Sequence, residues 1–247
     1  MRPVRRGASP QARDFDDYRD AKRPLVARLG GYCSYCERKI VTQLAVEHIQ
    51  PKSLPRYAHL IGRWDNLLLA CVNCNATKAD KDVVPEEVLL PDRDNTYAAY
   101  VYSEDGSVQV ASGQSDEVSA MAARTLALVG LDKAISAVID DNGKRIAIDR
   151  VGQRKQAWLL ARDTKQTVAA TSLSPQREAV RRMAVDLAEH SGFFSIWMTV
   201  FDDDLDMRRR LVGAFAGTAA SGCFDPDTLR PRSPAPNPDA LRGGGKS

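Results

Sequence analysis

Two cysteine pairs, Cys33-x-x-Cys36 and Cys71-x-x-Cys74, stand 34 residues apart and use four of the chain's five cysteines. Each Cys-x-x-Cys turn presents two sulfurs from one tight loop. Two such turns make up the tetrahedral thiolate set of a structural Zn²⁺ site. The pairing sets aside the alternative of four unrelated thiols, and with all four positions filled by protein the zinc has no open position for catalysis. Cys223 lies far off in an expected loop and reads as a simple buried or surface thiol.

Between the pairs runs Val46-Glu47-His48-Ile49-Gln50-Pro51-Lys52-Ser53. An acidic residue directly before a histidine, at the end of a β-prone run and followed by proline, is unusual for a core element. Trp64-Asp65-Asn66-Leu67-Leu68 follows, and Cys74-Asn75-Ala76-Thr77-Lys78 starts on the second pair. Of the other histidines, His59 sits between these blocks and fits a loop or packing role better than a substrate contact. His190 falls at a helix end, where a cation suits the macrodipole.

These residues need elements to position them, and 247 residues suffice for one large domain or two small ones. Residues 1–10 read as a loose basic arm. Phe15, Tyr18, Leu25, Val26 and Leu29 recur at helical spacing, so a helix is expected over residues 12–29, kinked or split at Pro24 and stopped by Gly30-Gly31. Residues 42–49 are β-branched and alternating enough to form a strand. Residues 97–102 and 108–110 flank Asp105-Gly106 as a hairpin. From Asp116 the chain is mainly helical: Ser115 caps a helix ending at Gly130, Ser174-Pro175 starts another running to about His190, and a third follows Asp204 to about Ala219. Phe193, Phe194, Ile196, Trp197 and Met198 are core candidates. From Pro226 the proline- and glycine-rich tail is expected to be disordered. Its Gly-Lys-Ser ending lacks both the earlier glycine and the following helix of a phosphate loop.

The ordered set Cys-x-x-Cys, Glu-His-Ile-x-Pro-x-Ser, Asp-Asn-Leu and Cys-x-x-Cys-Asn-x-x-Lys resembles the HNH, or ββα-metal, endonuclease family, over about a fifth of the chain. The resemblance implies an α+β fold: a zinc-stapled ββα-metal core at 32–90, preceded by the arm and helix of 1–31. A hairpin and mostly helical region at 91–225 and the tail at 226–247 would follow. It also implies that His48 is the general base and that Glu47 and Asn75 ligate a catalytic metal, with Asn66 bracing the loop that positions His48. Asn75 stands where many members have histidine; its amide oxygen and the Glu47 carboxylate are hard donors suited to Mg²⁺ or Mn²⁺. Products would carry 3′-hydroxyl and 5′-phosphate ends. Gly31-Tyr-Cys-Ser-Tyr-Cys-Glu37 together with residues 46–53 further resembles the HNH subunits of Septu-type anti-phage systems, which implies a regulatory ATPase partner and foreign DNA as target.

Charge adds little by itself: the net value is +3, and residues 33–81 hold seven Lys/Arg against four Asp/Glu. Lys52, Arg56, Lys78 and Lys81 are the candidates for phosphate contact, with a solvated surface as the plain alternative. No apolar run is long enough to span a bilayer, and the basic N-terminus has no apolar stretch behind it. A cytoplasmic protein without a membrane partner is therefore expected. Two other readings stay open: a non-catalytic zinc module that binds nucleic acid or a partner, and an RNA-cleaving effector.

Overall fold

The computed structural model describes residues 1–133, 138–139, 145–146 and 150–247; the remainder of the expected helical region lies outside the described residues. Its centre is an antiparallel pair, β1 (Ala45–His48) and β2 (Leu67–Ala70), with Ala45 opposite Ala70 and His48 opposite Leu67. All four residues of β2 are buried, as expected of a Leu-Leu-Leu-Ala strand covered on both faces. The chain then turns at Cys71 into helix α2 (Val72–Lys78). Cys71 caps this helix with its own sulfur, which accepts from the Cys74 N–H at 3.4 Å. The first cysteine turn is tied to the sheet by the Ser34 N–H, which donates to the Leu69 carbonyl at 2.8 Å. Strand, strand and helix thus converge on the two knuckles.

Before this core, the expected long helix is shorter. Asp17 caps a 3₁₀ turn at Tyr18–Ala21, and α1 covers Lys22–Leu29. Pro24 falls in the first turn of α1, where its missing N–H costs no hydrogen bond. Gly30 ends the helix at φ 74°. After the core come α3 (Thr96–Ala99), the hairpin β3 (Tyr100–Tyr102) and β4 (Val108–Val110), and α4 (Asp116–Val129). Ser115 caps α4 and Gly130 closes it in the left-handed conformation. α4 packs on α2 and thereby backs the site.

The C-terminal half is a helical cluster of α5 (Arg150–Ala170), α6 (Ser174–Ser191), α7 (Phe194–Val200) and α8 (Leu205–Ala214). α7 is its hub: Phe194, Ile196, Trp197 and Met198 are fully buried, with Phe201 and Phe215 beside them. At the entry to α7, Gly192 lies against the first knuckle, where it pairs with Arg38. A Cβ at Gly192 would stand 2.6 Å from the Glu37 carbonyl oxygen, and its φ is +74°, so both space and conformation require glycine.

Two expectations are corrected. The first residues are no loose arm: Met1, Arg2, Val4 and Arg6 are buried. Arg2 donates to the carbonyls of Ala216 and Leu29 and to the Thr218 hydroxyl, while Arg6 pairs with buried Asp92 at 2.6 Å. These guanidiniums are used up as internal cross-links between distant backbone segments, which a charge count cannot reveal. The tail is also ordered. Lys246 donates to the carbonyls of Pro85 and Val88 at 2.6 Å, and Arg242 pairs with Glu86. Gly243 and Gly244 let the chain lie directly on Pro85 and Arg93, too close for any side chain. Composition that suggests disorder serves here for close backbone approach.

Candidate active site

The four cysteine sulfurs lie within 4.8 Å of one another and are all buried. Cys36 and Cys71 have their sulfurs 3.7 Å apart. A tetrahedral ion with metal–sulfur bonds of about 2.3 Å needs sulfur separations of roughly 3.8 Å, so the cage has the size of a zinc site. The chemistry agrees. Hydrogen bonding among the crowded sulfurs, with burial behind it, pushes the Cys36 and Cys74 thiols well above the usual range, while the same contacts drive Cys71 down. Four buried thiolates can coexist only around a cation. These cysteines are placed to hold a metal ion, consistent with zinc.

The end of β1 delivers Glu47 and His48 to a cavity of about 510 Å³, and Asn75 of α2 lines the same cavity. The His48 ring is fixed by a 3.0 Å hydrogen bond from Nε2 to the Ile61 carbonyl and by edge contact with Tyr18, ring centres 4.6 Å apart. A carbonyl can only accept, so Nε2 carries the proton and Nδ1 keeps the lone pair in the neutral ring. Burial lowers the His48 pKa; the Ile61 bond opposes this, and Lys52 and Lys78 add to it. Burial thus favours the neutral ring.

Asn66 secures the loop that supplies this carbonyl. Its side chain accepts from the Gln50 N–H at 2.8 Å and donates to the carbonyls of Gln50 and Leu60 at 3.1 and 3.3 Å. One amide thus spans the residue after the His48–Ile49 pair and the residue before Ile61. Asn66 is buried and lies apart from the cavity that His48 lines.

Glu47 is buried, with one oxygen 2.8 Å from the ammonium of Lys78. Beyond this charge contact that oxygen has no hydrogen-bond partner among the described residues. Burial pushes the Glu47 carboxyl above the usual carboxylate range, against the pull of Lys78. Asn75 is half-buried, and its amide has no hydrogen bond among the described residues. A carboxylate and an uncommitted amide on one cavity wall are oxygen donors that fit a hard divalent cation, and the fixed imidazole of His48 lines the same wall.

The four candidate phosphate contacts separate. Lys52 lines the cavity at its exposed rim, with its ammonium 2.7 Å from the Tyr18 hydroxyl and 4.3 Å from the ring centre. Arg56 is exposed but paired with Asp82 and faces a different cavity, the one that His59 lines. Lys81 donates to the Leu128 carbonyl at 3.4 Å. Lys78 is corrected outright: it is 1% exposed and donates at 2.8 Å to the His48 carbonyl, so it belongs to the interior of the site. Its side chain, one turn along α2 from Asn75, turns inward because the buried Glu47 carboxylate needs a counter-charge. Cys223 is buried, which pushes its thiol up to about 11. His190 donates from Nδ1 to the Asp186 carbonyl of its own helix at 2.7 Å.

Sequence reasoning missed three things. Tyr18, Arg19 and Lys22 line the cavity, yet the spacing of Tyr18 marks it only as core. Ile61 acts through its backbone, which no side-chain motif can show. Glu37 is 1% exposed and joins the first knuckle to the rest of the molecule: it accepts from the Ser195 N–H and hydroxyl, both at 2.7 Å, and from the Tyr102 hydroxyl at 2.9 Å.

Residues 33–81 match the family model described as HNH endonuclease. The ββα core, with four cysteines placed to hold zinc, is thus an HNH domain inside a chain of mixed helices and small antiparallel sheets, which supports a metal-binding nuclease and hydrolase of the HNH family. No curated protein matches the chain. Among the described residues, no helix is long and apolar enough to cross a membrane.

Proposed function

We propose that the chain is a metal-dependent HNH endonuclease that hydrolyses phosphodiester bonds of DNA. The observation that carries this reading is His48: a buried imidazole locked through Nε2 to the Ile61 carbonyl, on the wall of the cavity that Glu47 and Asn75 share. The lone pair left on Nδ1 accepts the proton of the attacking water, and the depressed pKa keeps it available at neutral pH. Asn66 acts at one remove, by holding the loop that orients the ring. Glu47 and Asn75 would hold Mg²⁺ or Mn²⁺, which would supply positive charge to offset that on the scissile phosphate and the leaving oxygen. Lys52, with Arg19 and Lys22 along the same wall, steers the phosphate backbone in.

The resemblance to Septu-type subunits extends this reading to a cytoplasmic anti-phage effector working with a regulatory ATPase. Plasmid cleavage with Mg²⁺ or Mn²⁺ tests the chemistry. His48→Ala is expected to lower the rate by about 10²- to 10⁴-fold; undiminished cleavage by that variant defeats the mechanism. Cleavage of RNA in place of duplex DNA would redirect the substrate assignment, and binding without cleavage, alone or with the ATPase, would favour a non-catalytic zinc module.

A further inference from the structure

Lys78 stands in an unusual position for a residue of a cation-binding site. Its side chain is 2% exposed, and its ammonium lies 2.8 Å from the Glu47 carboxylate and 2.8 Å from the His48 carbonyl. A lysine ammonium is strongly hydrated in water, and burying it requires an anion close by. Glu47 is that anion, so its charge is already balanced from within. The rest of the cavity wall adds no compensation. Four cations line it, Arg19, Lys22, Lys52 and Lys78, against the single carboxylate of Glu47; Arg19 is paired with Asp17, which also attracts Lys52, and among the described residues Lys22 has no ion pair. Asn75 is neutral. A divalent cation entering this cavity alone meets an excess of positive charge.

A phosphodiester reverses that balance, because each phosphate brings one negative charge to the same wall. We infer that Lys78 makes divalent-cation binding at Glu47 depend on the substrate phosphate, so that nucleic acid and metal enter the site together and the free protein holds its catalytic metal weakly. This rests on the reading of Glu47 as a metal ligand. Lys78 is a positioning residue in this scheme: it shares the carboxylate that the metal needs and fixes the backbone of the general base. The coupling is reciprocal, so Mn²⁺ tightens DNA by the factor by which DNA tightens Mn²⁺.

The test is direct Mn²⁺ binding, read by electron paramagnetic resonance, on the zinc-loaded full chain carrying His48→Ala so that DNA stays intact. Binding is measured with and without a short DNA duplex, after subtracting Mn²⁺ taken up by the duplex alone. Affinity is expected to rise on the order of tenfold or more with the duplex. Adding Lys78→Gln, which keeps a donor for the His48 carbonyl, is expected to raise DNA-free affinity on the order of tenfold and shrink the effect of DNA. Equal Mn²⁺ affinity with and without DNA overturns the inference, even if the Lys78 variant fails to fold. So does a folded, zinc-loaded Lys78→Gln protein with unchanged DNA-free affinity. Site binding that survives Glu47→Gln would instead sink the assignment of Glu47 as the ligand.

Discussion

Two buried glutamates, Glu37 and Glu47, both lie between the two cysteine pairs, and their surroundings are opposite. Glu37 follows the first knuckle and accepts hydrogen bonds from Ser195 and Tyr102 besides an ion pair with the Met1 ammonium at 3.0 Å. Burial pushes its carboxyl up, but the ammonium and the Ser195 donors together outweigh that and hold it below the usual range. Among the described residues Glu47 has one charge contact and no side-chain hydrogen bond, and burial raises its carboxyl. A carboxylate satisfied on both oxygens is scaffold. One left under-satisfied on a cavity wall keeps capacity for a ligand. Burial alone does not separate the two; the number and direction of donors does.

The most drastic way to break the comparison is to remove its common frame. Chelation of zinc, or Cys71→Ser, is expected to unfold residues 33–81, since structural zinc contributes on the order of 10 kcal/mol or more in small sites. Loss of far-ultraviolet circular dichroism in step with zinc release is the check. Next in size is function: Glu47→Gln is expected to reduce cleavage by about 10²-fold or more through loss of a metal ligand. It should also cost about 3 kcal/mol of stability, because the buried Lys78 ammonium is left without its anion. Glu37→Gln should lose a similar amount in urea unfolding, as a buried, multiply bonded charge is removed, but leave cleavage per folded molecule nearly unchanged. If the two variants gave the same split between activity and stability, the distinction drawn here would be wrong.

Smaller effects sharpen the same contrast. Gly192→Ala should cost about 2 kcal/mol by pushing α7 away from the Glu37 carbonyl. Zinc retention at the first knuckle should weaken with it, as a competition titration with a chelator would show. Smallest is the pH dependence of stability, where the two glutamates run in opposite senses. Glu37, depressed in the fold, contributes stability that is fully present above the ordinary carboxylate pKa of about 4.3 and is lost as pH falls through its folded value. Glu47, raised in the fold, keeps its proton longer than the unfolded chain does, so its share of stability falls as pH rises from that ordinary value to its folded one. Urea melts across the acid range should therefore flatten in Glu37→Gln and steepen in Glu47→Gln.

Features that are complete within a few consecutive residues were legible in the sequence. The cysteine turns carry their geometry in their own spacing, and Ser115 and Gly130 mark α4 because cap and stop are local chemistry. The hairpin around Gly106 is legible for the same reason. The long α5 was not separately legible, because its buried face is built from Arg154, Ala157, Ala161 and Val168, too small or too polar to make an apolar stripe. The proximity of His48, Glu47 and Asn75 follows from motif order, whereas the Lys78–Glu47 contact and the Ile61 carbonyl depend on how β1, α2 and the loop meet in space. Buried arginines and an ordered glycine-rich tail are the clearest failures. In both, a residue type that favours solvent or disorder in isolation is overruled by specific backbone partners.

The junction between Gly192 and the first knuckle has a mechanical consequence. Residues 192–195 are fastened to residues 37 and 38 at three points: the Gly192–Arg38 pairing, the Phe193 N–H on the Glu37 carbonyl, and Ser195 on the Glu37 carboxylate. The fastening lies directly beside Cys36, with no intervening loop to absorb displacement. A displacement of the C-terminal helices would thus bear first on the cysteine cage, and through Ser34 and Leu69 on the strand that pairs with His48. The helical half would act as a handle on the HNH core, with the first cysteine turn as its axle.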